Sequence, residues 1–240
     1  MVNTTRIALR VWKLLCLIVV LLFLFPISTG IIRTFQLIIL PIVWLGAIVL
    51  TYKRKWPAVI IAACGLGILC LFLLPGRPVN SDQLQNLYVR HLQRYKGTIY
   101  IWGGENKLGI DCSGLVRRAM INANLQIGLT TLNPTATRQA FTIWWYDCSA
   151  KALGTHYKSF TESVMEASSI NDLSSTSLHP GDLAITPNGE HVLAYLGAGE
   201  WIQTDPYLMR VAMQTVPSKN KWFRVPVHIV RWSQLAQISE

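Results

Sequence analysis

Tyr100 to Val116 reads YIWGGENKLGIDCSGLV, with one cysteine, Cys112, between an acid and a hydroxyl. From Cys112 onward, Leu115, Val116, Ala119 and Met120 recur at helical spacing, which predicts a helix whose N-terminus is Asp111-Cys112-Ser113. Asp or Ser at that point accepts hydrogen bonds from the orphan backbone N–H groups of the first turn. The positive end of the helix dipole favours a thiolate, so a lowered Cys112 pKa is expected. Gly103, Gly104 and Gly114 are expected to let a substrate approach the backbone closely. A lone cysteine is often no more than a small buried hydrophobe, so the reading depends on finding a base.

The base is expected at His191. In LHPGDLAITPNGEHVLAYLGAGEWIQTD, the runs GDLAIT and HVLAYLG flank PNGE, which contains the Asn-Gly turn signal, and EWIQTD follows across GAG. That pattern predicts a small antiparallel meander. His191 opens one strand and Gln203 lies on the next, so a base and the group that orients it can stand side by side. Upstream, Leu84, Leu87, Tyr88, His91, Leu92 and Tyr95 form an apolar stripe at helical spacing, capped by Asn80 or Ser81 and ended by Gly97. His91 is read as packed on that stripe. The expected fold class is α+β, a nucleophile helix packed on a small antiparallel sheet, preceded by three transmembrane helices.

The preceding region has a different character. The 240 residues are 51% hydrophobic and 14% charged, and the apolar residues concentrate before Pro75. Leu14 to Ile32, Phe35 to Tyr52 and Trp56 to Leu74 each have about the 17–25 residues needed to cross a bilayer. Arg33-Thr34 is read as a tight turn between the first two. Residues 1–77 are therefore assigned as a membrane anchor and 78–240 as the outer domain, with PGRPVNSDQ as the join. Of the 22 Lys and Arg, eight lie at or before Arg77, where there is no Asp or Glu; the other 14 face all 12 acids. The net charge of +10 thus flanks apolar segments, which argues for a lipid bilayer and against nucleic acid as a partner. Arg6, Arg10 and Lys13 share one side with Lys53, Arg54 and Lys55, placing the N-terminus in the cytoplasm and the domain on the periplasmic or extracellular side. A cleaved signal peptide fits less well, because no small-x-small site follows the first segment. The spans hold no acid or His that would mark a transport path.

YIWGGENKLGIDCSGLV and HPGDLAITPNGEHVLAYLG together resemble the NlpC/P60 family of cell-wall cysteine peptidases, of papain-like fold, and PTATRQA is weakly similar to the segment after its nucleophile helix. The resemblance covers roughly Leu84 to Thr204. It implies Cys112 as nucleophile, His191 as base, Gln203 as the third polar residue and Tyr100 as an oxyanion contact. It further implies that Asp111 and Ser113 meet the free amine of a stem peptide, with Gly103 and Gly104 lining the approach. The implied activity is hydrolysis of an amide bond next to γ-D-glutamate in peptidoglycan peptides, with no cofactor and no metal.

The stretch from 141 to 177 reads as an insertion relative to that family, with Trp144, Trp145 and Tyr146 as lining of a substrate groove or as packing. His156, His179 and His228 have no pattern linking them to the site. Cys16, Cys64 and Cys70 fall in the spans; Cys112 and Cys148 fall outside and are expected to stay unpaired, since pairing would silence the nucleophile. Alternatives in other classes are an amidase or acyltransferase of the same fold, or a non-catalytic wall-binding module. The sequence leaves the oligomeric state open.

Overall fold

The computed structural model describes residues 2–174 and 177–236. Its first third is three helices: α1 (Val2–Leu24), α2 (Gly30–Thr51) and α3 (Lys55–Leu73). All three are long and apolar enough to cross a membrane. Small residues let them pack. A side chain at Gly46 would strike the Trp12 ring, and one at Gly65 the Trp44 ring. Each indole N–H is satisfied by a carbonyl on the neighbouring helix, Trp12 by Val43 and Trp44 by Ile61, both at 2.9 Å.

The first break differs from expectation. α1 ends at Leu24 and α2 is already helical at Arg33. Pro26 removes an N–H and disfavours helix at the residue before it. Thr29, in an extended conformation, then caps α2 by accepting from the Ile32 N–H. Arg33 is thus not a loop charge. It is buried and faces the C-terminal part of the chain.

That part opens with α4 (Ser81–Gln93), capped by Asn80, whose side chain accepts from the Gln83 N–H at 2.7 Å. Its stripe from Leu84 to Tyr95 is buried as expected, and Gly97 follows with φ +81°. His91 is a packed residue, with Nε2 2.9 Å from Gln126 Oε1. A two-stranded hairpin, β1 (Glu105–Asn106) and β2 (Gly109–Ile110), precedes α5 (Cys112–Thr130) and α6 (Pro134–Trp145).

The remaining strands are β3 (Thr161–Ala167), β4 (Leu183–Ile185), β5 (Val192–Gly197), β6 (Glu200–Asp205), β7 (Arg210–Thr215) and β8 (Val227–Trp232). They form one sheet in the order β3-β8-β4-β5-β6-β7, antiparallel throughout. The meander β4-β5-β6 is the one expected, with Gly189 of the Asn-Gly turn at φ +65°. α5 packs on β5 and β6. Its face of Leu115, Val116, Ala119 and Met120 joins Ile185, Val192, Ala194 and Ile202 in one apolar core. The stretch from 141 to 177 has regular structure of its own. It completes α6, adds a short helix α7 (Ala150–Gly154) and supplies edge strand β3, apart from 175 and 176, which lie outside the described residues.

Candidate active site

Cys112 is the first residue of α5, and Asp111 is its N-cap. One Asp111 oxygen accepts from the Gly114 N–H at 2.6 Å and from Ser113 Oγ at 3.0 Å; the other accepts from the Gly103 N–H at 2.8 Å. Asp111 and Ser113 thus hold the loop to the helix start, and both also line the cleft beside Cys112. The glycines also serve the chain itself. A Cβ on Gly114 would lie 2.1 Å from the Gly104 carbonyl oxygen, and one on Gly104 would lie 2.6 Å from that of Gly109. One close approach is loop against helix and the other is loop against β2. Thr204 Oγ1 donates to the Asp111 carbonyl at 3.1 Å and ties this turn to β6.

Backbone N–H groups of Val192, Ser113 and Cys112 face the sulfur, so the thiol meets the backbone at the start of β5, one residue along the chain from His191. His191 is buried, its ring stacked on Trp222 with centroids 4.2 Å apart. His191 Nε2 lies 2.5 Å from Gln203 Oε1. Gln203 Nε2 donates to Gln214 Oε1 at 2.9 Å and to Asp205 Oδ2 at 3.5 Å. Asp205 Oδ2 also accepts from Asn220 Nδ2 at 2.6 Å. The Asp205 carboxylate can only accept, so it draws the amide nitrogen of Gln203 toward itself and turns the amide oxygen toward the imidazole. Nε2 then carries the proton, and Nδ1 is the nitrogen left to act as base.

The protonation states differ from the thiolate expected. Burial pushes the Cys112 thiol up to about 12, Asp111 adds to this, and the three facing N–H groups oppose it. Burial lowers His191 to about 4, against the opposing pull of Gln203 and Asp205. At neutral pH the pair is thus thiol and neutral imidazole. Tyr100 is raised to about 12 by burial, then by Cys112 and Asp111. It remains an O–H donor close to the sulfur.

The cleft around Cys112 has a volume of about 560 Å³. Gly103, Gly104, Asp111 and Ser113 line it, as does Ser28 from the α1–α2 turn. The 141–177 stretch contributes Asp147, Ser149, Ala150 and Tyr157, among others, but not Trp144, Trp145 or Tyr146. Trp144 packs against the core, and Tyr146 lies under the Lys158 ammonium. Behind the cleft wall is a buried ion cluster. Glu105 lies 2.8 Å from Arg117, 3.2 Å from Arg33 and 3.6 Å from Arg118; Arg117 also meets Asp147 at 2.8 Å. Burial works to raise Glu105, but Arg117, Arg118 and Arg33 outweigh it and hold the carboxyl low.

His156, His179 and His228 stay apart from the site. His156 and His228 pack ring against ring, and the His179 N–H donates to Asp182. Cys112 and Cys148 are both free, with Cys148 buried in the core. Among the described residues no group of three or more His, Cys, Asp or Glu is placed to hold a metal.

The NlpC/P60 family model matches residues 97–230, more than half of the chain. The chain belongs to the NlpC/P60 family. The match starts after α4, later than the Leu84 expected, and runs through β7 into β8, past the Thr204 expected. Similar solved structures include the peptidoglycan hydrolase RipB from Mycobacterium tuberculosis, at 20% identity and TM-score 0.38 over 63% of this chain and 66% of that one. NlpC1 from Trichomonas vaginalis shows 17% identity and TM-score 0.41 over 62% of this chain and 43% of its own. The NlpC/p60 domain of the peptidoglycan hydrolase SagA shows 24% and 0.32, over 63% of this chain and 98% of its own. The chain thus spans just under two thirds of RipB and less than half of NlpC1. Among curated proteins none matches the chain.

Proposed function

We propose that this NlpC/P60 protein is a membrane-anchored cysteine hydrolase that cuts amide bonds in peptidoglycan stem peptides, next to γ-D-glutamate, on the outer side of the membrane. The observation that carries the reading is the placement of Cys112 at the Val192 N–H, with the neighbouring His191 oriented by Gln203. In the proposed reaction Sγ attacks the scissile carbonyl carbon as Nδ1 of His191 takes the thiol proton. Tyr100 O–H donates to the developing oxyanion. The C–N bond breaks as the imidazolium returns that proton to the leaving amine. Water then attacks the thioester, again deprotonated by His191, releasing a carboxylic acid and restoring the thiol.

A neutral resting pair suits this course, because the proton moves only when a carbonyl is in place. The test uses the full chain in detergent, since residues 26–33 contact the loop before Cys112. Wild type should release fragments from defined stem peptides, and Cys112→Ala should not. Equal release by the two sinks the assignment, and the fragment masses identify the bond.

A further inference from the structure

The cleft is not built by the C-terminal part alone. Ser28, between the end of α1 and the start of α2, lines it together with Cys112. The Ser28 N–H donates to the Gly103 carbonyl at 3.0 Å, and the Glu105 N–H donates to that of Pro26 at 2.8 Å. Asn106 Nδ2 donates to the carbonyls of Leu24 and Phe25, which close α1, at 3.2 and 2.9 Å. Arg33 of α2 is clamped on Glu105. A second tie lies at the end of α3, where Arg138 Nη1 donates to the Phe72 and Leu74 carbonyls at 3.0 and 2.8 Å. These ties join the domain to the helix ends at two separate points. The apolar surface of the helices reaches the same turn, since Phe23, Leu24, Phe25, Ile31 and Phe35 are all exposed. Trp102, 79% exposed, lines the cleft together with Ser28, a residue type that favours the bilayer interface.

The α1–α2 turn that lines the cleft joins two helices long and apolar enough to cross a membrane. We propose that the cleft takes stem peptides that are themselves carried on a lipid anchor, with the α1–α2 turn as its membrane-side wall. This rests on the proposed hydrolase activity and narrows its substrate.

The test places the full chain in vesicles with one stem peptide in three forms: joined directly to a lipid, joined through a long flexible spacer, and free. Direct attachment should be cut at least as fast as the spaced form, and at least about ten-fold faster than the free peptide at equal bulk concentration. A roughly ten-fold rise on adding the spacer overturns the proposal, because the nucleophile then stands clear of the bilayer. Equal rates for free and lipid-borne peptide overturn it too. A second readout replaces the scissile amide with a thiol-reactive electrophile and follows labelling of Cys112 by peptide mass. The direct lipid probe should label at least as fast as the spaced one; the reverse order overturns the proposal even if no peptide is hydrolysed. Correct labelling order without any hydrolysis sinks the proposed reaction but sustains the surface-facing cleft.

Discussion

The sheet wall that carries His191 and the loop wall of the cleft are held by opposite means. On the sheet side a buried chain of hydrogen bonds runs from His191 through Gln203 to Gln214, Asp205 and Asn220, with one formal charge among its members. On the loop side Glu105 and Asp147 meet Arg33, Arg117 and Arg118 in a mostly buried ion cluster. The first arrangement sets a tautomer, and the second sets a position. A relay that meets the ring through the neutral amide of Gln203 can hold an imidazole without charging it, leaving Nδ1 open as a base. An ion cluster holds a loop firmly because a buried charge without its partner is costly.

The sharpest way to break the comparison is to remove the chemistry that the sheet wall serves. Cys112→Ala and His191→Ala should each lower stem-peptide turnover by at least about 10³-fold, and His191→Ala should also lower the melting temperature, since it leaves a cavity against Trp222 and an unpaired Gln203 oxygen. Gln203→Leu should come next, with a loss of about 10²-fold in kcat as the imidazole turns freely. It should change KM little, because Gln203 lies behind the histidine and not in the cleft. A loss confined to KM would refute its orienting role. The loop wall should answer the other way. Glu105→Gln strands Arg33 and Arg117 in the interior at a cost of about 3 kcal/mol. In a melt of the full chain in detergent that is a fall of about 6–12 °C. A fall of less than a few degrees would mean that the cluster is open to water.

The sheet wall also makes a pH prediction. His191 is held near 4, below the ordinary value of about 6.5. Between those values the unfolded chain binds a proton at this site and the folded chain does not, so folding stability rises with pH across that window. Below about pH 4 the folded protein protonates as well and the dependence flattens. The melting temperature of wild type should therefore drop more steeply from pH 6.5 to 4 than that of His191→Gln. The acid limb of kcat/KM should likewise lie near 4, not near 6.5. Parallel melting curves for the two proteins would show that the imidazole titrates normally.

What could be read beforehand follows the same division. Cys112, His191 and Gln203 lie in short motifs whose local structure is strong: a capped helix start and two strands of a meander. Asp205 was within reach, because it lies two residues beyond Gln203 and so on the same face of β6. Trp222, which covers the imidazole, comes from a separate 3-10 turn, Lys221–Phe223, and nothing in its neighbours marks it. The loop wall was beyond local reasoning. Arg33 and Glu105 are 72 positions apart, and hydropathy assigned Arg33 to a turn because apolar content does not register the break at Pro26. The N-cap role of Asp111 was legible too, from its place just before the apolar helix pattern.

The smallest effect is expected at the second outer cysteine, which separates the two walls most cleanly. Cys148 is buried beside the ion cluster; burial raises its thiol to about 11, against the pull of Arg117. It packs in the apolar core with Leu153 and Ile143 and takes no part in the cleft. Cys148→Ala removes one sulfur from a packed site, so a loss of about 1 kcal/mol is expected, with turnover unchanged. Migration on a non-reducing gel should also be the same for both proteins, since neither Cys112 nor Cys148 is bridged. A shift seen in wild type and lost in Cys148→Ala would mean that the thiols reach each other. The two walls would then have to part far enough to expose the core between them, and the loop could not be as firmly held as its ion cluster requires.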